Sequence, residues 1–291
     1  MTTQQLILSL VLATLVFSVA LELKVDDFTR VAKLPRAVVC GLIPQFVLLP
    51  VGTWLATLVL DLPANTEAAM ILVAACPGGS LSNVVTHRGR GNTALSVSIS
   101  AVAAVMALFL TPFNFAWMMA TNPATAAWMR ALQLDASDIW WSLLALLALP
   151  MAAGLLLGHH APRFTARIRV PLGNFSLLAL LAFIVGGLVS QRALLNAQIL
   201  PQLLIVVLHN AGGLLLGWLC ATAFRVTERD RRAIVIEGGM QNSGLALGII
   251  AVQFHADLGM VIIASLWGIW HIVSGLTLAQ WWRWKDVRLA A

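Results

Sequence analysis

Nine runs of mostly apolar residues, each about as long as a bilayer-spanning helix, recur along the chain at approximately 4–22, 37–60, 67–87, 92–119, 138–159, 170–190, 199–223, 233–254 and 258–282. A helix needs about 20 such residues to cross the hydrocarbon core. The expected fold class is therefore an all-α integral membrane protein with nine transmembrane helices. Charged residues make up only 10% of the 291 positions, against about 25% in a soluble domain. That leaves no room for a sizeable soluble domain, and residues 1–291 read as a single transmembrane unit. The first apolar stretch, Leu6 to Leu21, has no basic segment before it and no A-x-A site after it, so it reads as a retained helix and not a cleaved leader.

Basic residues mark the cytoplasmic ends of membrane helices. With the N-terminus outside, cytoplasmic loops hold 16 of the 18 Lys and Arg, including Lys24, Arg30, Lys33, Arg36, Arg88, Arg90, Arg163, Arg167 and Arg169; only Arg130 and Arg192 fall outside. This alternation fixes an odd number of spans, an outside N-terminus and a cytoplasmic C-terminus, in the inner (cytoplasmic) membrane. Trp281, Trp282 and Trp284 beside Arg283 and Lys285 fit an interfacial anchor. The net charge of +6 is confined to short loops, so it does not point to nucleic acid. Cys40, Cys76 and Cys220 all lie in apolar segments without metal-ligand spacing and read as buried structural thiols.

Two spans are interrupted. The third carries Cys76-Pro77-Gly78-Gly79-Ser80-Leu81-Ser82-Asn83, and the eighth carries Glu237-Gly238-Gly239-Met240-Gln241-Asn242-Ser243-Gly244. Proline removes a helix donor and paired glycines weaken a helix. Unwound backbone at membrane depth survives only where it lines protein or water, and two such segments in corresponding halves point to a transporter site. The breaks lie five spans apart and run in opposite directions, as an inverted repeat of four plus five helices predicts. Kinked helices packed through small residues are the simpler reading of either break alone.

Most acids lie in loops or near span ends, whereas Glu237 sits inside the eighth span at the break, with no basic residue inside the membrane to pair with it. A charge there is expensive unless neutralised. It must carry a proton or hold a cation, and hard cations take oxygen ligands. Nearby oxygen donors are Ser82 and Asn83 after the first break, Ser96, Ser98 and Ser100 at every second residue of the fourth span, and Gln45 just after Pro44. Each of these could equally be an ordinary helix–helix hydrogen-bonding group, and the serines could bond the preceding turn.

Together these motifs resemble the bile acid:sodium symporter family: Cys76-Pro77-Gly78-Gly79 with Ser82-Asn83, Gly91-Asn92 with Leu95-Ser96, and Glu237 with Gly239-Met240-Gln241-Asn242-Ser243-Gly244, in order over nearly the whole chain. Bacterial members often carry one more helix ahead of this chain's first, so the nine-helix form is similar to the animal members. The resemblance implies a core domain of helices near 37–60, 67–87, 92–119, 199–223, 233–254 and 258–282, in which the two broken helices cross. Beside it would stand a panel of helices near 4–22, 138–159 and 170–190. It implies two sodium ions and no transition metal or organic cofactor. The first ion would use Ser82, Asn83, Ser96, Ser100 and Glu237; the second would use Gln45, Glu237, Gln241 and the backbone oxygens of Gly238 and Met240. Helix breaks fall at Pro77, Gly78, Gly79 and Gly239. Ser100 stands where many members have threonine and keeps the hydroxyl; Gly238 replaces a β-branched residue and keeps the carbonyl.

The partners implied are the lipid bilayer and a small organic anion, of the kind of a bile acid, a keto or hydroxy acid, or pantoate. Ser80, Asn242 and His271 are the candidate contacts at half-helix N-termini; His271-Ile272 stands where the family frequently has His-Asn. The rival readings are a proton-coupled carrier or antiporter cycling a proton on Glu237, and an intramembrane enzyme with Ser243 or Cys76 as nucleophile. Catalysis wants a base and an orienting group beside the nucleophile. Here His159, His160 and His255 sit at span ends, His87 closes the third span, and His271 reads as the only histidine well inside a span. No catalytic residue is assigned. The particular anion and the oligomeric state are not legible in the sequence.

Overall fold

The computed structural model describes the backbone of residues 3–23, 25–32, 34–190 and 192–290, and their side chains except at 3–5, 25, 30, 177, 181, 183, 184, 186–190, 192–198, 289 and 290. Lys24 and Lys33, and the side chains of Arg30 and Arg192, which entered the charge alternation, lie outside the described residues. The helices are α1 (Thr3–Glu22), α2 (Val25–Val31), α3 (Pro35–Ile43), α4 (Leu49–Leu60), α5 (Ala64–Ala75), α6 (Leu81–Arg88), α7 (Thr93–Thr121), α8 (Pro123–Ala131), α9 (Ala136–His160), α10 (Pro162–Ser190), α11 (Arg192–Ala223), α12 (Glu228–Gly239), α13 (Ser243–Gln253) and α14 (Leu258–Ala290). Among the described residues, five segments are long and apolar enough to cross a membrane: Pro35–Leu60, Thr93–Thr121, Ala136–His160, Ile199–Ala223 and Leu258–Arg288. Leu6–Glu22, Ala64–Ala75 and Ser243–Gln253 are shorter apolar helices.

Several helices outlast their apolar runs. The segment 160–169, read as a loop, is almost wholly helical: only Ala161 separates α9 from α10, which begins at Pro162, since a proline suits the first helical turn. Likewise α12 starts at Glu228 under a Thr227 cap, and α14 continues to Ala290. Hydropathy marks the embedded part of a helix, while hydrogen bonding and capping set its ends. Two short helices, α2 and α8, had no apolar signature to announce them.

Between α3 and α4 the helix does not stop. It passes through one π-turn, Pro44–Leu48: Pro44 has no N–H to offer the ladder, and the turn widens to absorb the loss. The first break has a related cause. The residue before a proline is pushed out of the helical region, and Cys76 is extended at φ −75°, ψ 146°. In the second break, with no proline, Met240 is extended at φ −122°, ψ 99° after the glycine pair.

The two unwound segments meet as an antiparallel bridge between Gly78 and Gln241, reinforced by the Asn242 N–H donating to the Pro77 carbonyl at 2.7 Å. Each break thus supplies partners that lipid could not. The α12 half is clamped by α11 through backbone-to-backbone packing. A Cβ added at Gly213 would lie 2.6 Å from the Gly238 oxygen, and one at Gly217 2.8 Å from the Ile234 oxygen. This Gly-x-x-x-Gly seam lets the two helices approach more closely than side chains would permit. On the other side, α1 packs against α9 and α10. The largest apolar cluster joins α1, α5, α7, α9, α13 and α14 around Trp267, Phe115 and Leu143.

Candidate functional site

Glu237 has no exposed surface. Its Oε1 accepts from Ser96 Oγ at 2.5 Å, Ser82 Oγ at 2.6 Å and Ser100 Oγ at 3.1 Å. Its Oε2 faces Ser100 Oγ and Gln45 Nε2, each at 3.2 Å. Asn83 Oδ1 lies 2.8 Å from Ser96 Oγ and 3.4 Å from Ser100 Oγ, and the Gly79 carbonyl lies 2.8 Å from Ser82 Oγ. The first predicted set is therefore brought together in full. Its chemistry is lopsided: a hydroxyl has one proton to give, and these three hydroxyls stand before more acceptors than they can serve.

Ser98 belongs elsewhere. Its hydroxyl bonds back to the Ala94 carbonyl at 3.0 Å, because at about 100° per residue it turns away from the face shared by Ser96 and Ser100. The every-second-residue reading of this stretch is corrected accordingly.

Of the second predicted set, Glu237, Met240 and Gln45 close around Gly78: a Cβ built there would lie 2.9 Å from Glu237 Oε2, 3.2 Å from the Met240 carbonyl and 3.5 Å from Gln45 Nε2. The missing side chain lets carboxylate, carbonyl and amide crowd against this backbone, whereas Gly238 packs against Gly213 of α11. Gln45, displayed on the π-turn, accepts the Gly78 N–H at 3.2 Å with its oxygen. Gln241 points its Nε2 at the Gly238 carbonyl, 3.5 Å away, and its buried Oε1 has no hydrogen-bond partner. Of the two Glu237 oxygens, Oε1 faces the three serines, while Oε2 faces Gln45, the Gly78 backbone and Ser100.

The three residues proposed for the anion are more dispersed. Asn242 caps α13, its Oδ1 accepting from Leu245 N–H at 2.9 Å. Ser80 is exposed and precedes α6 without capping it through its side chain. His271 is buried with an unpartnered Nδ1, its ring 5.3 Å from that of Trp267. No hydrogen bond among the described residues joins His271 to Ser80 or Asn242. The Gly91-Asn92 motif proves to be a fastener. Asn92 caps α7 through Leu95 N–H at 3.2 Å and ties it to α12 through Asp230 Oδ1 at 2.7 Å.

Sequence reasoning missed two features. First, Glu237 is not alone: Glu67 is 1% exposed and Asp27 is also buried. Glu67, placed at a span end, is drawn inside because Leu62 N–H (3.1 Å) and Asn122 Nδ2 (3.0 Å) donate to it in the first turn of α5. Second, His271 is not the only histidine inside a span: His209, followed by Asn210, is buried within α11. Trp267 Nε1 donates to His209 Nδ1 at 3.0 Å. Thr53 gives its proton to the Leu49 carbonyl at 2.7 Å, so His209 Nε2–H donates to Thr53 at 2.7 Å. The ring is neutral and ties α11 to α4 and α14. A histidine inside an apolar run was the available signal; its partners lie far away in sequence.

Residues 9–198 match the Sodium Bile acid symporter family. The chain is 32% identical over 275 residues to a Bacillus subtilis protein described as the uncharacterized sodium-dependent transporter YocS, covering 94% of this chain and 82% of that one. It is 28% identical to the Arabidopsis thaliana chloroplastic protein described as the probable sodium/metabolite cotransporter BASS1, covering 90% of this chain but only 63% of the plant protein. It is 26% identical to the human ileal sodium/bile acid cotransporter, covering 86% of this chain and 70% of that one. These relatives are named as transporters and cotransporters, not as enzymes. On the family match and the similarity along its length, this chain belongs to the sodium bile acid symporter family.

Proposed function

We propose that this protein is a sodium-coupled symporter that imports a small organic anion across the inner (cytoplasmic) membrane by alternating access. The observation that carries the reading is the lack of a positive partner for Glu237: its buried carboxylate meets only neutral donors, three serine hydroxyls and the Gln45 amide, and the hydroxyls also face Asn83 Oδ1 and the Gly79 carbonyl. An alkali ion among these oxygens would take the place of the hydroxyl hydrogen bonds, the serines keeping their protons, and would neutralise the carboxylate. Gln45, Gly238, Met240 and Gln241 would supply a second position on the side of the other carboxylate oxygen. In this reading nine helices cross the membrane, as an inverted repeat of four plus five, with the N-terminus outside. Helices α1, α9 and α10 form the panel, and α3 to α7 with α11 to α14 form the core.

Sodium enters as cargo. Two ions moving inward through 100 mV gain about 4.6 kcal/mol, of which one monoanion returns about half. Filling the two positions would fix the crossing and present the starts of α6 and α13 to a carboxylate. Relatives whose names refer to bile acids or metabolites support an organic anion without choosing among bile-acid-like, keto- or hydroxy-acid and pantoate-like cargoes.

The test is uptake into proteoliposomes with an inward sodium or potassium gradient, for the parent and Glu237→Gln, using a panel of organic acids. Sodium-dependent uptake that is lost in Glu237→Gln is the expected result. Uptake equal in all four arms, or driven by a proton gradient without sodium, overturns it.

A further inference from the structure

Two buried amides around the second break share an unusual imbalance. Asn210 is 1% exposed and Gln241 is 2% exposed. Asn210 Nδ2 donates to the Gly239 carbonyl at 2.6 Å, and Gln241 Nε2 reaches the carbonyl of the preceding residue, Gly238, at 3.5 Å. Their nitrogens thus hang on consecutive carbonyls at the open end of α12, and their oxygens, Asn210 Oδ1 and Gln241 Oε1, are both buried without any hydrogen-bond partner. A buried polar atom left unmatched is costly, and two such acceptors beside one half-helix C-terminus call for a positive group.

Asn210 is held in place for that role. Asn210, Gly213 and Gly217 share the α11 face pressed against α12, and the neighbouring His209 is locked between Thr53 and Trp267. The side chain is thereby held on the packed face, and among the described residues no Lys or Arg hydrogen-bonds either amide oxygen.

We propose that Asn210 Oδ1 is a further ligand of the second cation position, so that α11 contributes directly to the ion site formed by α12 and the π-turn. This rests on the sodium-symport reading above. A mere cap on the Gly239 carbonyl would use only the amide nitrogen, and Asn210→Asp and Asn210→Leu separate the two roles. Aspartate keeps the oxygen and gives up the amide donor; leucine gives up both.

The purified protein is titrated with NaCl against KCl at constant ionic strength, and its thermal stabilisation is followed. The half-saturating sodium concentration is expected to rise about tenfold or more in Asn210→Leu, the scale of losing a supporting metal contact, and to stay at or below the parent value in Asn210→Asp. Equal losses in both variants, or an unchanged value in Asn210→Leu, overturn the assignment. If Asn210→Asp does not fold, the lithium-to-sodium preference of Asn210→Ala decides: loss of a ligand changes the ratio, and an unchanged ratio overturns it. A parent with no sodium-specific shift removes the symport reading and this ligand with it, whereas a parent that shifts while Asn210→Leu matches it removes the ligand alone.

Discussion

Glu67 and Glu237 are equally hidden, at 1% and 0% exposure, yet their surroundings are opposites. Glu67 meets nitrogen donors, a backbone N–H and the Asn122 amide, in the first turn of a helix where the dipole favours negative charge. Its donors have little else to do: Asn122 Nδ2 also reaches Thr57, while its oxygen caps α8. Glu237 lies near the C-terminal end of α12, where the dipole disfavours it. Its donors are three hydroxyls, which also face Asn83 and Gly79, and the Gln45 amide. One carboxylate is satisfied by the fold, and the symport reading gives the other a cation from outside the chain. Burial alone therefore does not distinguish the two acids; the helix end each occupies and the donors around it do.

The sharpest way to break this contrast is to neutralise each acid in turn. Glu237→Gln is expected to abolish sodium-dependent thermal stabilisation, which in the parent amounts to about 2.7 kcal/mol at a hundred times the dissociation constant. In sodium-free buffer the same variant should be more stable than the parent, because an unbalanced buried charge has gone. Glu67→Gln should do the reverse: it destabilises by about 1–3 kcal/mol by setting an amide N–H against the Asn122 donor, and leaves the sodium response intact. Differential scanning fluorimetry in sodium and potassium reads both. A sodium response surviving in Glu237→Gln would remove the distinction.

Adjacent glycines give a smaller, cleaner test. In Gly78→Ala the new methyl falls 2.9 Å from Glu237 Oε2 and 3.2 Å from the Met240 carbonyl; in Gly79→Ala the nearest atom, Asn242 Cγ, is 3.9 Å away. Half-saturating sodium should rise roughly tenfold in the first, as the methyl displaces the Glu237 carboxylate and the Met240 carbonyl, and hardly move in the second. Equal effects would mean that the glycines serve only to unwind the helix.

What the sequence disclosed and what it withheld divide along a physical line. The breaks were legible because Pro77 and the glycine pairs act on their own backbone. The grouping of Ser82, Asn83, Ser96 and Ser100 about Glu237 was legible because Ser82-Asn83 follows the proline break closely and Ser96 and Ser100 are one turn apart. Ser98 was misread because a two-residue step suits a strand, not a helix. The inward position of Glu67, the His209 ring network and the Asn210 contact with Gly239 were not legible, since each depends on the register between helices far apart in the chain. Gly213 and Gly217 show the limit most clearly: their spacing is plain in the sequence, but that the seam faces Gly238 and Ile234 is decided by the packing of α11 on α12.

The smallest effect comes from a third carboxylate that has Glu237's kind of donor without its burial. Asp135, in the loop before α9, accepts from Ser137 Oγ at 2.7 Å and Ser137 N–H at 2.8 Å. The Ser137 hydroxyl, followed by its backbone N–H, holds the carboxyl below its ordinary range. A depressed folded-state value means that its contribution is present in full above the unfolded value of about 3.9 and fades as pH falls through the folded one. Asp135→Asn should therefore track the parent's pH dependence from neutrality to about pH 5 with a small constant offset, and differ in slope only below about pH 4. Unfolding followed across that range in detergent checks it. A sodium dependence of the Asp135 contribution would contradict the contrast drawn from Glu237, because water already supplies at this exposed loop what the symport reading assigns to a cation at the buried site.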